Sequence, residues 1–190
     1  MMEKSKLILI STFAFLGLSF MPVKVKELKF PDNFSVGKEK LIVSGTGVRQ
    51  KYFIDLYYAV LYMKHKEKNP QKIIDANEEM SFKIHIVSRH VNNQNLEEAL
   101  REGFKLSMGG NSSGLQKEID LLVNAFSDKI QVGDEFDLSY MPDNGVNVKK
   151  NGKDRVLIQG LTFKKALFGI WFGKEPADED LKQELLGLND

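Results

Sequence analysis

The chain contains no cysteine, and that single absence excludes disulfides, thiolate nucleophiles and Cys-ligated metal sites together. Histidine is scarce as well, with three in 190 residues, so few side chains are available for proton transfer or metal ligation near neutral pH. Neither sign of charge is in excess: 27 basic and 26 acidic side chains leave +1, which removes the net-charge argument for a nucleic-acid or membrane-surface partner. No repeat, low-complexity tract or long linker divides the chain. What is present is 42% hydrophobic residues, enough for one domain with a sizeable core held together by packing alone.

The first segment stands apart from that domain. Lys4 and Lys6 precede an apolar run from Leu7 to about Met21, the layout of a secretory signal peptide. As a helix, a run of about 15 residues covers about 22 Å, short of the roughly 30 Å of a bilayer core, so a cleaved leader is expected rather than an anchor. Gly17 and Ser19 put small residues where a signal peptidase inspects the chain. The expectation is therefore a signal peptide over 1–19, a mature domain over 25–190 with no stable membrane insertion, and a secreted or periplasmic location.

Along the mature chain, Lys26 to Gly37 reads as one or two short strands broken at Pro31 and Asp32. Lys40 to Ser44 reads as a strand ending at Gly45-Thr46-Gly47, the glycines making a turn or bulge. A dinucleotide loop is excluded there because the third glycine is missing and no helix follows. The stretch Val43 to Met63 continues as a long aromatic strand, with Tyr52, Ile54, Leu56, Tyr58, Val60 and Tyr62 on one face and Arg49, Lys51, Phe53, Asp55, Tyr57, Ala59, Leu61 and Met63 on the other. A short helix starts at Pro70, and Met80 to Ser88 alternates again as a strand. Asn92 to Met108 has helical period in Leu96, Leu100 and Phe104. A second helix follows the break at Gly109 to Gly114, with Ser113 and Gln116 at capping-box spacing. Asn144-Gly145 and Asn151-Gly152 then join three strands into a meander. Thr162 is placed to cap a helix ending at Gly173, and a last helix starts near Asp178. Strands at both ends, with helices between and after them, indicate α+β with an antiparallel sheet.

Candidate chemistry is sparse. His85 and His90 lack an established metal-ligand spacing, and no G-x-S-x-G or similar anchor supports a Ser/His/Asp triad. Arg49 is the residue that stands out. A guanidinium among aromatic and apolar neighbours needs an anionic or carbonyl partner if it is buried, and its fixed fork of donors suits a carboxylate or an enolate-type oxygen. Tyr57 shares its face by strand parity, provided no bulge intervenes. The plain alternative is a surface pair between Arg49 and Asp55 or another carboxylate.

Several segments carry a family resemblance. Gly45-Thr46-Gly47-Val48-Arg49, the aromatic strand ending Leu61-Tyr62-Met63, Asn147 to Gly152, the run from Phe163 to Gly173 and the segment from Pro176 to Gly187 together resemble the bacterial exported branch of the chalcone isomerase-like superfamily over about Leu28 to Gly187. The resemblance implies an open-faced β-sandwich: a large antiparallel sheet covered on one face by a layer of helices, with a ligand cleft between them. It implies either cofactor-free ring closure by an isomerase (an intramolecular lyase) or fatty-acid binding in the same cleft. In both, an arginine matched by Arg49 contacts the anionic part of the ligand. The enzymes' threonine is replaced here by Tyr57, and their active-site tyrosine falls near Val91 to Asn95, where only Val, Asn and Gln occur. The leading expectation is thus a binder of a small amphipathic ligand, without cofactor or metal, in which Arg49 clamps the anion and Tyr57 or Tyr58 adds a donor. The competing expectations are an isomerase of unknown substrate and a structural protein with a closed cleft.

Overall fold

A computed structural model describes residues 30–188; the leader expected at 1–19 and the first residues of the expected domain lie outside them. Seven strands form one antiparallel sheet whose spatial order is the chain order. They are β1 (Asn33–Val36), β2 (Glu39–Lys51), β3 (Ile54–Met63), β4 (Met80–Ile86), β5 (Glu135–Met141), β6 (Gly145–Lys150) and β7 (Lys153–Ile158). The helices are α1 (Pro70–Asp75), α2 (Asn93–Ser107), α3 (Gln116–Ala125), α4 (Leu161–Phe172) and α5 (Glu179–Leu185). This is the α+β, one-sided sandwich expected. Alternation along β3 to β6 sends one set of side chains, including Tyr57, Leu61, Phe82, Ile84, Phe136 and Val148, under the helices, where they form the main core with Phe104, Phe163, Leu167, Phe168, Trp171 and Leu181. On the other face the sheet curls so that β1 covers a second, smaller core of Val36, Leu41, Val60 and Tyr62. The Tyr62 hydroxyl donates to the Pro31 carbonyl at 2.8 Å, and burial with nearby carboxylates pushes its pKa up to about 12.

Three local expectations are corrected. The aromatic stretch is not one strand. It folds into a hairpin at Tyr52-Phe53, both with positive φ (50° and 64°), a conformation that costs bulky L-residues about 1–2 kcal/mol each. The β6–β7 hairpin makes the same kind of turn with Asn151-Gly152, where a small polar residue and glycine tolerate the angles. Second, Gly45 and Gly47 do not end a strand but lie inside β2, just past an irregularity between Val43 and Gly45. Their role is close approach: a Cβ on Gly45 would overlap the Leu185 backbone carbonyl, and one on Gly47 would come within 2.7 Å of Leu181 Cδ1. They let α5 lie directly on β2, where Glu184 Oε2 accepts from the Val48 N–H at 2.7 Å. Third, neither expected serine nor threonine cap forms. The segment Ser113–Leu115 is a 3-10 turn with no side-chain cap, and Thr162 sits inside α4, which starts after Gly160. By contrast Asn69, Asn92 and Asp178 cap α1, α2 and α5 with their side chains.

Candidate functional site

The helix layer does not fill the space over the sheet evenly. Where α4 crosses the middle of the sheet the packing is aromatic and closed, with Phe82 and Trp171 ring centroids 4.3 Å apart and Phe104 on Phe163 at 5.6 Å. Two glycines bring α2 down onto α4: a Cβ at Gly103 would stand 2.9 Å from Ile170 Cγ2, and Gly169 faces Ser107, whose hydroxyl donates to the Ala166 carbonyl at 2.7 Å. Toward the β2–β3 hairpin the layers part and leave a cavity of about 540 Å³. Its interior is apolar, set by Ile84, Ile86, Leu122, Phe136 and Leu138 among others, while Arg49, Lys51, His90, Asn95 and Glu98 also line it. An apolar interior with a few convergent polar groups is the usual make-up of a small-molecule site.

Arg49 is half-buried and faces this space. It stands directly across from Tyr57 in the β2–β3 register, with its Cζ 5.9 Å from the Tyr57 ring centroid. The two share a face as expected, but for a different reason: the hairpin, with its register shift after Arg49, makes them cross-strand neighbours rather than distant members of one strand. Among the described residues, the buried Arg49 Nε has no hydrogen-bond partner and Arg49 makes no ion pair. The surface pair with Asp55 does not form. Asp55 instead accepts from Gln50 Nε2 at 2.6 Å and from the Tyr58 hydroxyl at 3.3 Å.

The Tyr57 hydroxyl accepts from Trp171 Nε1 at 2.9 Å, a buried bond between β3 and α4 that fixes the ring. Its own proton has no acceptor among the described residues. Tyr58 is corrected. It pairs with His85 in the β3–β4 register on the opposite face of the sheet and does not line the cavity. Burial and then the Asp55 carboxylate push its phenol pKa upward. His85 lies on that same far face, with Nδ1 3.2 Å from Glu135, whereas His90 lines the cavity, so these two histidines do not converge. Val91 and Asn95 also line it, in the segment where the enzymes' tyrosine was expected.

Sequence reasoning missed Trp171 as the partner that orients Tyr57. It also missed Lys164. Fully buried on α4, Lys164 donates to the carbonyls of Ile73, Ile74 and Ala76 at 2.7, 2.9 and 2.8 Å, and so caps the end of α1. In the sequence it is one of two adjacent lysines, and only the helical phase relative to Phe163 and Leu167 singles it out.

A curled antiparallel sheet with helices on one side, and an apolar cavity between them with Arg49 on its wall, defines a one-sided sandwich. The profile of the family described as chalcone isomerase-like matches residues 22–187, and the chain belongs to that family. Among solved structures, the chain is similar to the crystal structure of an Arabidopsis thaliana fatty-acid binding protein, with a TM-score of 0.64 and 18% identity over 83% of this chain and 90% of that one. At that identity the likeness speaks for the fold. No curated protein matches.

Proposed function

We propose that this protein binds a small amphipathic carboxylate, of fatty-acid type, in the cavity beside Arg49, with no cofactor. The observation that carries the reading is Arg49 itself: a guanidinium whose buried Nε lacks an acceptor among the described residues, on the wall of a cavity of about 540 Å³ with an apolar interior. A buried unpaired donor is costly, and a ligand carboxylate would satisfy it with charge-assisted bonds while its hydrocarbon occupies the interior. The free Tyr57 proton is the second donor to the same oxygens. The similar Arabidopsis protein being a fatty-acid binding protein supports the ligand class. Native mass spectrometry of protein purified from its own source tests the proposal. The expected result is a co-purifying lipid-like acid that is lost in Arg49→Ala; no adduct, or equal retention by the variant, would remove its basis.

The isomerase alternative draws on one observation, that His90 lines the same cavity as Arg49 and Tyr57. It would have Arg49 and Tyr57 stabilise a developing oxyanion. We further propose that the chain is an exported, periplasmic or secreted protein whose residues 1–19 are a cleaved signal peptide ahead of a domain over 25–190. N-terminal sequencing of the mature protein tests that directly, and a retained Met1 would refute it.

A further inference from the structure

The turn between β2 and β3 is built in an expensive way. Tyr52 and Phe53 both take positive φ, while the β6–β7 hairpin of the same sheet meets a similar demand with Asn151 and Gly152. Neither aromatic ring gains packing in return: Phe53 is 101% exposed and Tyr52 84%, with Ile54 next to them at 41%. A backbone held in a sparsely populated region by residues that contribute nothing to the core points to a use for the side chains. Elsewhere among the described residues the exposed large apolar side chains, such as Leu121, Val132 and Leu157, are not consecutive in the chain.

The surroundings say what the tip meets. Lys51 Nζ sits 5.7 Å from the Tyr52 ring centroid, so a cation and two aromatic rings are presented together. The Val87 N–H donates to the Leu56 carbonyl at 3.1 Å, which holds the loop carrying exposed Arg89 and His90 alongside the hairpin. Lys51, Tyr52, Ile54 and His90 also line the cavity, so the tip stands at its mouth; Glu98 is the acidic group on that lining. Aromatic rings that sit at the headgroup level, beside lysine and arginine that reach anionic lipid, are the composition of an interfacial contact. The neutral net charge does not oppose this, because the attraction is local and falls off within a Debye length.

We propose that the Tyr52-Phe53 tip docks reversibly on a lipid surface containing anionic headgroups, with Phe53 entering the acyl boundary and Lys51 and Arg89 on the headgroups. Docking there sets the cavity mouth against the bilayer, so that a poorly water-soluble ligand passes between the two without crossing water. The docking itself does not depend on the identity of the cavity ligand.

The test uses the full chain and vesicles of phosphatidylcholine with and without phosphatidylglycerol. In Phe53→Trp the new indole reports on the tip whatever other segment touches the vesicle, against the buried Trp171. Its emission is expected to shift to the blue on adding anionic vesicles and to be quenched by bromine-labelled acyl chains. An unchanged spectrum overturns the proposal. Phe53→Asn keeps the turn, since Asn tolerates the left-handed region, and Phe53 does not line the cavity. This variant should lower the affinity for anionic vesicles at least tenfold in the tip-specific response, read by an environment-sensitive dye at the exposed Gln50→Cys, which is not on the cavity lining, and in the unlabelled protein leave binding of a soluble fatty acid unchanged. An equal dye response with and without Phe53 overturns the proposal, as does a tip that drives self-association in sedimentation velocity while ignoring vesicles. Docking by a protein that binds no fatty acid would refute the cavity reading alone.

Discussion

Two cations stand in contrasting settings between the layers, Lys164 on α4 and Arg49 on β2. In the closed part, Lys164 is fully buried and each of its three N–H donors has a carbonyl acceptor. In the open part, Arg49 is half-buried, and its Nε has none. Burial alone therefore does not separate a structural charge from a functional one. What separates them is whether the fold supplies the acceptors itself. Lys164 completes α1, whereas among the described residues Arg49 Nε is left without an acceptor on the cavity wall, as the proposed carboxylate ligand requires.

The contrast can be broken at either end. Lys164→Met keeps most of the packing but strips three carbonyls of their donor, and should destabilise by about 3 kcal/mol in urea unfolding at neutral pH. Next in size, Leu167→Phe in the closed region should cost about 1–3 kcal/mol by overpacking, while Leu122→Phe, which points the added volume into the cavity, should cost less than about 1 kcal/mol and abolish ligand uptake. A similar penalty at both positions would mean the cavity is not available volume. Arg49→Ala should weaken carboxylate binding by about 1.5–3 kcal/mol, measured by calorimetry, with a stability change within about 1 kcal/mol. A further effect concerns pH. Burial, and then the neighbouring Lys165 charge, push the Lys164 pKa down from the usual 10.5 to about 8. The unfolded chain binds that proton more tightly, so unfolding takes up a proton between about pH 8 and 10.5 and stability rises with pH across that window. The slope should vanish from wild type to Lys164→Met in a comparison of unfolding midpoints.

Much of the architecture was legible because it rests on local signals. Alternation in β4, the helical period of α2 and the Asn151-Gly152 hairpin each follow from neighbours within a few residues. The misreadings fall where the determining contact is distant or the local rule is broken. The β2–β3 turn carries no glycine, proline, asparagine or aspartate at its centre, so alternation ran straight through it. Gly45 and Gly47 looked like a turn because the helix that needs them short of a side chain lies some 140 residues further on, at Leu181 to Leu185. At the site, Arg49 stood out in the sequence by its apolar setting, and the structure places it on the cavity wall. Tyr58 was not separable from Tyr57 by residue type, and only the register puts one in the cavity and the other behind the sheet.

The contact between α5 and β2 also bears on the order in which the protein is made. Every strand pairs with its sequence neighbour, so apart from the helical excursion between β4 and β5 the sheet can grow by successive short closures. The bond from Val48 to Glu184, by contrast, spans 136 residues and secures the backbone next to Arg49. This tie beside Arg49 therefore forms only after nearly the whole chain is available, and in pulsed hydrogen exchange during refolding the Val48 amide should gain protection later than those of β4 and β5.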